Sequence, residues 1–308
     1  MTYGNKPNDD HSTGSGVDQA AMSPHHGHVV GRNELIYLQR FERVVTAMNR
    51  RLDQPMTNSN MADIACLSPC HFNRLFRHAT GIPPIQFHYA LRLDHAKRLL
   101  MSSNLSITEI CFEVGYNSLG TFTSRFNQLV GLSPRAFWRL TRNFLSTRLS
   151  DLRAPLLESA DLPALSRHIC GTVSNSGCDG LIFLAVFPRA IPKGIPAVCA
   201  LTNYPGPYSL PNPGHGVWHI FAVAVPWTAA GMQLVTLDGL RRGRSGPIRV
   251  EGNGWSGESK IEMTSARILD PPILSSIPVR LSRMLADRAS QPSSLRSSMA
   301  SADASFLT

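Results

Sequence analysis

The sequence predicts a multidomain α plus β chain. An all-α block built on a doubled helix-turn-helix spans residues 32–148, and an all-β, sandwich-like block spans 165–289. Three observations predict this. Apolar residues recur at helical spacing as far as about Leu149. A set of aromatic, glycine and proline residues repeats within that stretch at an offset of 50 residues. Beyond about residue 150 the pattern breaks into short apolar runs between proline- and glycine-rich turns.

Charge follows the same division. The 308 residues carry a net charge of +9, and residues 32–148 hold 15 basic against 7 acidic side chains. Residues 1–31 are net negative, and 149–308 only weakly positive. A local basic excess points to a polyanionic partner, nucleic acid or a membrane surface. No uncharged apolar run is long enough to span a bilayer, and Met1–Val30 has no apolar signal core. The sequence therefore predicts a cytoplasmic chain with no membrane partner and six reduced cysteines. No pair of CxxC motifs supports a zinc site, and no metal or cofactor is expected.

Residues 1–31 read as a disordered tail, in which His25, His26 and His28 are solvated side chains. Leu35, Leu38, Phe41, Val45, Met48 and Leu52 then form one apolar stripe of an amphipathic helix, with Arg32, Arg40, Arg43, Arg50 and Arg51 off it. Ser68-Pro69 and Ser133-Pro134 place a capping serine before a proline at the first helical position. Ser106 and Glu109 make a capping box. Gly81, Gly115 and Gly131 sit where helices should stop. A long helix runs from Gln86 to Leu100.

In the repeat, Phe72, Phe76, Gly81, Pro84 and Phe87 match Phe122, Phe126, Gly131, Pro134 and Phe137. Upstream, Ala62 and Leu67 match Cys111 and Tyr116 at an offset of 49, so the second copy has one more residue in its turn. Each copy, about 59–80 and 107–130, reads as a short helix, a turn and a second helix that enters the major groove. Ala62 and Cys111 provide the small side chain that the helix crossing needs. Opposite the buried stripes lie Cys70, Asn73, Arg74 and Arg77 in one copy and Thr121, Ser124, Arg125 and Gln128 in the other. Arg forks to guanine, Asn to adenine, and Thr or Ser contacts bases or phosphates.

The runs Met61–Arg77, Thr80-Gly-Ile-Pro-Pro, Ala90–Leu100, Ser106–Phe126 and Val130-Gly-Leu-Ser-Pro resemble the AraC/XylS transcriptional regulators over roughly residues 40–142. The resemblance implies seven helices in two subdomains, whose two reading helices enter successive major grooves of promoter or operator DNA. It implies base contacts from Cys70, Asn73, Arg74, Gly120, Thr121 and Ser124. Arg77, Arg125 and Gln128 are expected at phosphates, which position without specifying. Two departures stand out. Cys66 occupies a turn position where the family usually has glycine, which predicts a strained or reshaped turn. Gly120 offers only backbone, which shifts the second reader toward shape readout.

Residues 149–164 read as a linker. Strands are expected at Ile169–Ser174, Leu181–Phe187, Val198–Thr202, Val217–Val225, Ile248–Glu251 and Lys260–Leu269. Turns are expected at Asn203–Gly206, Pro211–Gly216 and Gly252–Gly257. A helix is expected at Val279–Ala289, and a disordered tail over 290–308. Parts of Cys170–Val225 resemble transthyretin-like or carboxypeptidase-regulatory-like β-sandwiches, which implies a sensing or interaction module without chemistry of its own. His168, His215 and His219 lack carboxylates at ligand spacing, and Ser209 and Ser256 lack a nucleophile elbow, so no enzyme is expected. Trp218, Trp227 and Trp255 read as core residues, with an aromatic ligand platform as the alternative.

The expected partners are double-stranded DNA, RNA polymerase and a small-molecule effector of the second block. Two other readings involve cysteine. Pro69-Cys70-His71 echoes alkyl-transfer DNA repair proteins, although Phe72 stands where arginine is expected. Oxidation of Cys66 with Cys70 would make the first reader redox-responsive.

Overall fold

The structure is a computed structural model that describes residues 32–142, 148–152, 168–174, 177, 179–202, 205–252 and 254–275. The expected tails and the Val279–Ala289 helix lie outside the described residues, as does most of the expected linker. Seven helices come first: α1 (Arg32–Arg50), α2 (Asn58–Ala65), α3 (Pro69–Thr80), α4 (Pro84–Ser102), α5 (Ile107–Glu113), α6 (Leu119–Val130) and α7 (Pro134–Arg142). No helix among the described residues is long and apolar enough to cross a membrane.

Local chemistry sets the boundaries. Thr57 and Asn60 close a capping box on α2, and Ser106 and Glu109 close one on α5. Proline holds the first turn of α3, where a free N–H would have had no partner. Gly81 and Gly131 end α3 and α6 in the left-handed conformation.

The repeat reappears as two matched cores. In the first, Phe41 of α1, Phe72 and Phe76 of α3 and Phe87 of α4 stack in a chain, with ring centroids 5.3–6.1 Å apart. In the second, Tyr116, Phe122, Phe126 and Phe137 do the same at 5.4–5.7 Å. Ala62 and Cys111 are fully buried where the short helices pack. One expectation fails on α1: Leu35 is 49% exposed. Its stripe position is helical, but the first turn of α1 extends past the helices that bury Phe41 and Met48.

Two sheets follow: β1 (His168–Ser174), β2 (Gly180–Phe187), β3 (Val198–Thr202), β4 (Gly206–Pro211), β5 (Gly216–Pro226), β6 (Arg242–Glu251), β7 (Gly254–Gly257) and β8 (Lys260–Glu262). One has order β4-β1-β8, the other β3-β2-β5-β6-β7. They share a core in which Ile169, Tyr208 and Ile261 meet Ile182, Leu184 and Ile220. The other face of the larger sheet packs against Leu149, Trp227, Ala229 and the short helix α8 (Met232–Thr236).

Four expectations need correction here. Leu149, placed at the start of a linker, is fully buried, opens a 3-10 turn (Leu149–Leu152) and donates its N–H to Ala229. The Lys260–Leu269 strand stops at Glu262, because only Thr172–Ser174 of β1 pair with it. Gly206 opens a strand, since β1 offers a pairing edge as far as Val173. Gly254–Gly257, expected as turn, pairs as an exposed edge strand with Ile248–Glu251.

Candidate nucleic-acid interface

The pairs α2–α3 and α5–α6 each position a second helix with one face buried and one free. On α3 the side chains of Cys70, Asn73, Arg74 and Arg77 are exposed, opposite buried Phe72 and Phe76. On α6, Gly120, Thr121, Ser124 and Gln128 are exposed, opposite buried Phe122 and Phe126. The Ser118 hydroxyl accepts from Thr121 N–H at 3.3 Å, which fixes the start of α6. Arg43, Arg50, Arg135, Arg139 and Arg142, on α1 and α7, are also exposed.

Gly120 is not a steric necessity. A Cβ there would meet only Ser118 Oγ, at an ordinary 3.7 Å. Arg125 differs from its neighbours on the stripe. It is only partly exposed, and its guanidinium lies 4.0 Å from the ring centroid of Tyr89 on α4.

The two turns are built differently. Cys66 takes φ 53° and ψ 50°, the left-handed conformation that disfavours a side chain, and Arg40 of α1 donates to its carbonyl at 3.4 Å. Gly115 is the equivalent residue in the second copy, with φ 77°. A Cβ on Gly115 would lie 2.6 Å from the Leu52 carbonyl oxygen and 2.7 Å from Arg92 Nη2.

The connecting helix α4 supplies groups that the sequence reading did not single out. Arg92, nearly buried, donates to Gln54 O at 2.7 Å and Gly115 O at 3.0 Å, so one guanidinium joins the segment after α1 to the turn of the second pair. Beside it His88 is buried, and burial with the Arg92 charge pushes its pKa down to about 4. Lys97 is fully buried, donates to Ile273 O at 3.0 Å and lies 3.7 Å from Asp94. Burial depresses the Lys97 pKa, and the Asp94 carboxylate opposes that shift. Arg98 bridges Asp94 and Asp238. The signal available in the sequence was the spacing of Asp94, Lys97 and Arg98, a charged cluster on an otherwise buried helix.

The sheet-rich region reaches both pairs at their C-terminal ends. Leu269 and Ile191 pack on the first helical core, and Val235 and Leu274 belong to the second. A Cβ on Gly81 would lie 3.1 Å from Arg244 Nη1, and one on Gly131 3.0 Å from Ile195. Gly194 donates to Leu129 O at 2.6 Å. The N-terminal halves of α3 and α6, with the exposed polar stripes, stay clear of these contacts.

Of the residues singled out beyond the helices, three meet: Trp255 Nε1 donates to the His168 carbonyl at 3.0 Å, and the His168 ring contacts Ser209. Trp227 and Trp218 pack on opposite faces of the larger sheet, and Trp255 lies on the edge strand β7. Ser209 lies in β4, and its hydroxyl is 2.6 Å from His168 Nδ1. The β1–β4 register brings that pair together, which no local motif reveals. Among the described residues no cluster of His, Cys, Asp and Glu could hold a metal ion.

Residues 61–139 match the family model of a helix-turn-helix domain. The chain carries such a domain. Over 109 residues it is 37% identical to the HTH-type transcriptional regulator GlxA of Rhizobium meliloti, covering 35% of this chain and 32% of that protein. Over 96 residues it is 28% identical to the HTH-type transcriptional regulator ArgR of Pseudomonas aeruginosa, covering 31% and 29%. The chain thus spans about a third of the length of these relatives. Among solved structures, the DNA-binding domain of AdpA in complex with a target DNA is 30% identical, covering 32% of this chain and 90% of that one, with a TM-score of 0.32.

Proposed function

We propose that the chain is a DNA-binding transcriptional regulator of the AraC/XylS type, reading double-stranded DNA with α3 and α6 of a doubled helix-turn-helix. The observation that carries this reading is the pair of reading helices. Each keeps one polar face of its N-terminal half solvent-exposed, Cys70, Asn73 and Arg74 on one and Gly120, Thr121 and Ser124 on the other, within the matched domain. Asn73, Arg74, Thr121 and Ser124 have the side chains that read base edges, and Gly120 lets the backbone approach. Arg77 and the exposed arginines of α1 and α7 supply phosphate affinity. Arg125, stacked on Tyr89, orients α6 rather than reaching freely for DNA. The sheet-rich region, sandwich-like in its shared core and transthyretin-like in the resemblance of its sequence, is the regulatory part. RNA polymerase is the further partner expected of such a regulator, and its place is the bacterial cytoplasm.

The test is selection of preferred DNA sites by purified protein, then titration of Arg74→Ala. The variant should lose about 1–3 kcal/mol on the preferred site and relax one base position. Equal losses on preferred and random DNA would make Arg74 a phosphate contact. An absence of any preferred site would refute the proposal.

A further inference from the structure

The loop between β2 and β3 touches both reading helices, and at equivalent points. Gly81 ends α3 and Gly131 ends α6, the same position in the two copies of the repeat. The Ala190 carbonyl faces the first, 3.8 Å from where a Cβ on Gly81 would stand. Gly194 and Ile195 face the second. The Gly194 N–H donates to Leu129 O, one of the last carbonyls of α6, which have no partner within the helix. A Cβ on Gly194 would stand 3.2 Å from Gln128 O, and φ there is 70°, so this approach needs glycine. Ile191 packs on the first helical core. Ala190 and Gly194 are four positions apart, a reach of at most about 14 Å.

The loop is stiff and is itself held. Pro192 and Pro196 fix φ at two of its positions. The Lys193 N–H donates to Ile191 O at 3.0 Å, Ala197 N–H to Val186 O at 2.9 Å, and Ser275 N–H to Pro192 O at 3.4 Å. Behind the loop, two tethers bind the sheet-rich region to α4: Lys97 donates to Ile273 O, and Arg98 pairs with Asp238. The two helix pairs are therefore joined twice. The helix α4 runs from one to the other, with Arg92 spanning Gln54 and Gly115. The loop joins the C-terminal ends of α3 and α6. One connection leaves a hinge, and a second at a distance from it closes the frame.

We propose that residues 190–195 are a spacer that fixes the separation and relative rotation of α3 and α6, and so sets how far apart the two halves of a DNA site must lie. The consequence for DNA rests on the DNA-reading function proposed above; the spacer itself does not. One added base pair moves a half-site by about 3.4 Å along the duplex and about 35° around it. A hinged pair of readers can follow that shift. A closed frame cannot, unless it breaks a contact or deforms the DNA. The loop is then a specificity determinant that touches no base.

The experiment uses the full chain in two altered forms. One carries two glycines inserted between Lys193 and Gly194; the milder one combines Ile191→Ala with Pro192→Gly. Without DNA, spin labels at Arg77→Cys and Gln128→Cys, with the other exposed cysteines replaced by serine, report the distance between α3 and α6. Its distribution should be narrow in the parent and broader in both variants. No broadening in either overturns the spacer and leaves α4 alone to set the separation. The milder variant keeps the test decisive if the insertion folds poorly. With DNA, the unlabelled parent should favour its selected site over the same site with the halves one base pair further apart by about tenfold or more. The insertion should cut that ratio to about threefold or less, with base preference inside each half unchanged. A parent indifferent to spacing, or an unchanged ratio in variants whose distances do broaden, overturns the consequence for DNA while the spacer stands. A parent without any preferred site counts against the DNA-reading function, and the label distances decide the spacer independently.

Discussion

The first helix pair turns on Cys66 and the second on Gly115, at equivalent positions of the repeat, and their surroundings explain the difference. Cys66 is exposed, so its side chain has room and only the left-handed backbone is unfavourable. Such a residue costs about 1–2 kcal/mol, which a well-packed core can offset. Gly115 is wedged against the Leu52 and Asp53 carbonyls and the Arg92 guanidinium. There a Cβ has nowhere to go. The same local motif thus tolerates a side chain on the surface and requires glycine where the two pairs meet. The repeat lost its symmetry at the place where its two copies make different contacts.

The largest effect that would break this comparison is expected from Gly115→Ala. Backbone strain plus overlap with two carbonyls should destabilise the chain by about 3–4 kcal/mol, read as a lower midpoint in urea melts. A loss below about 1 kcal/mol would show that the turn can move away from Leu52.

Acid should act next, and on the joint between the pairs. The folded pKa of His88, about 4, lies below its ordinary value of 6.5, so folding favours the neutral ring. Its stabilisation is complete above about pH 6.5 and is lost as pH falls toward 4, when the unfolded chain binds the proton more readily. The loss should reach about 3 kcal/mol at pH 4, and His88→Leu should flatten that part of the stability profile. An equally steep fall in the variant would place the acid-sensitive group elsewhere.

The smallest effect should come from Cys66→Gly, which relieves the left-handed strain but gives the unfolded chain more freedom. A net gain of about 0.5–1 kcal/mol is expected, with α3 and its DNA affinity unchanged. A destabilised variant would mean that the Cys66 side chain makes contacts that outweigh the strain.

The helical half was legible because its signals are local. Ser68-Pro69, the Ser106–Glu109 box, the closing glycines and the spacing of Phe72, Phe76, Phe122 and Phe126 each act within one or two turns. The exposed stripes of α3 and α6 could be placed by period alone. Arg125 was the exception, because Tyr89, 36 positions away, draws it in. The sheets were less legible because strands are completed by distant partners. Gly206–Pro211 has the composition of a turn and becomes β4 because β1 pairs with it. β2 is buried on both faces and lacks the alternation that would mark its sides. Arg92 and Lys97 look like surface residues until the carbonyls of Gln54 and Ile273 arrive.

The tethers onto α4 also bear on how freely this architecture can be recombined. Val235, Leu269 and Leu274 complete helical cores whose helical members lie about a hundred residues or more earlier in the chain. Excising the helical half, or splicing it onto a foreign domain, would expose apolar sockets and strip the Lys97 ammonium of its carbonyl partner. A successful chimaera must therefore carry Val235 and residues 269–274 along with the helices, or repaint the sockets with polar side chains. In this chain the boundary useful to an engineer follows those contacts and not the order of the sequence.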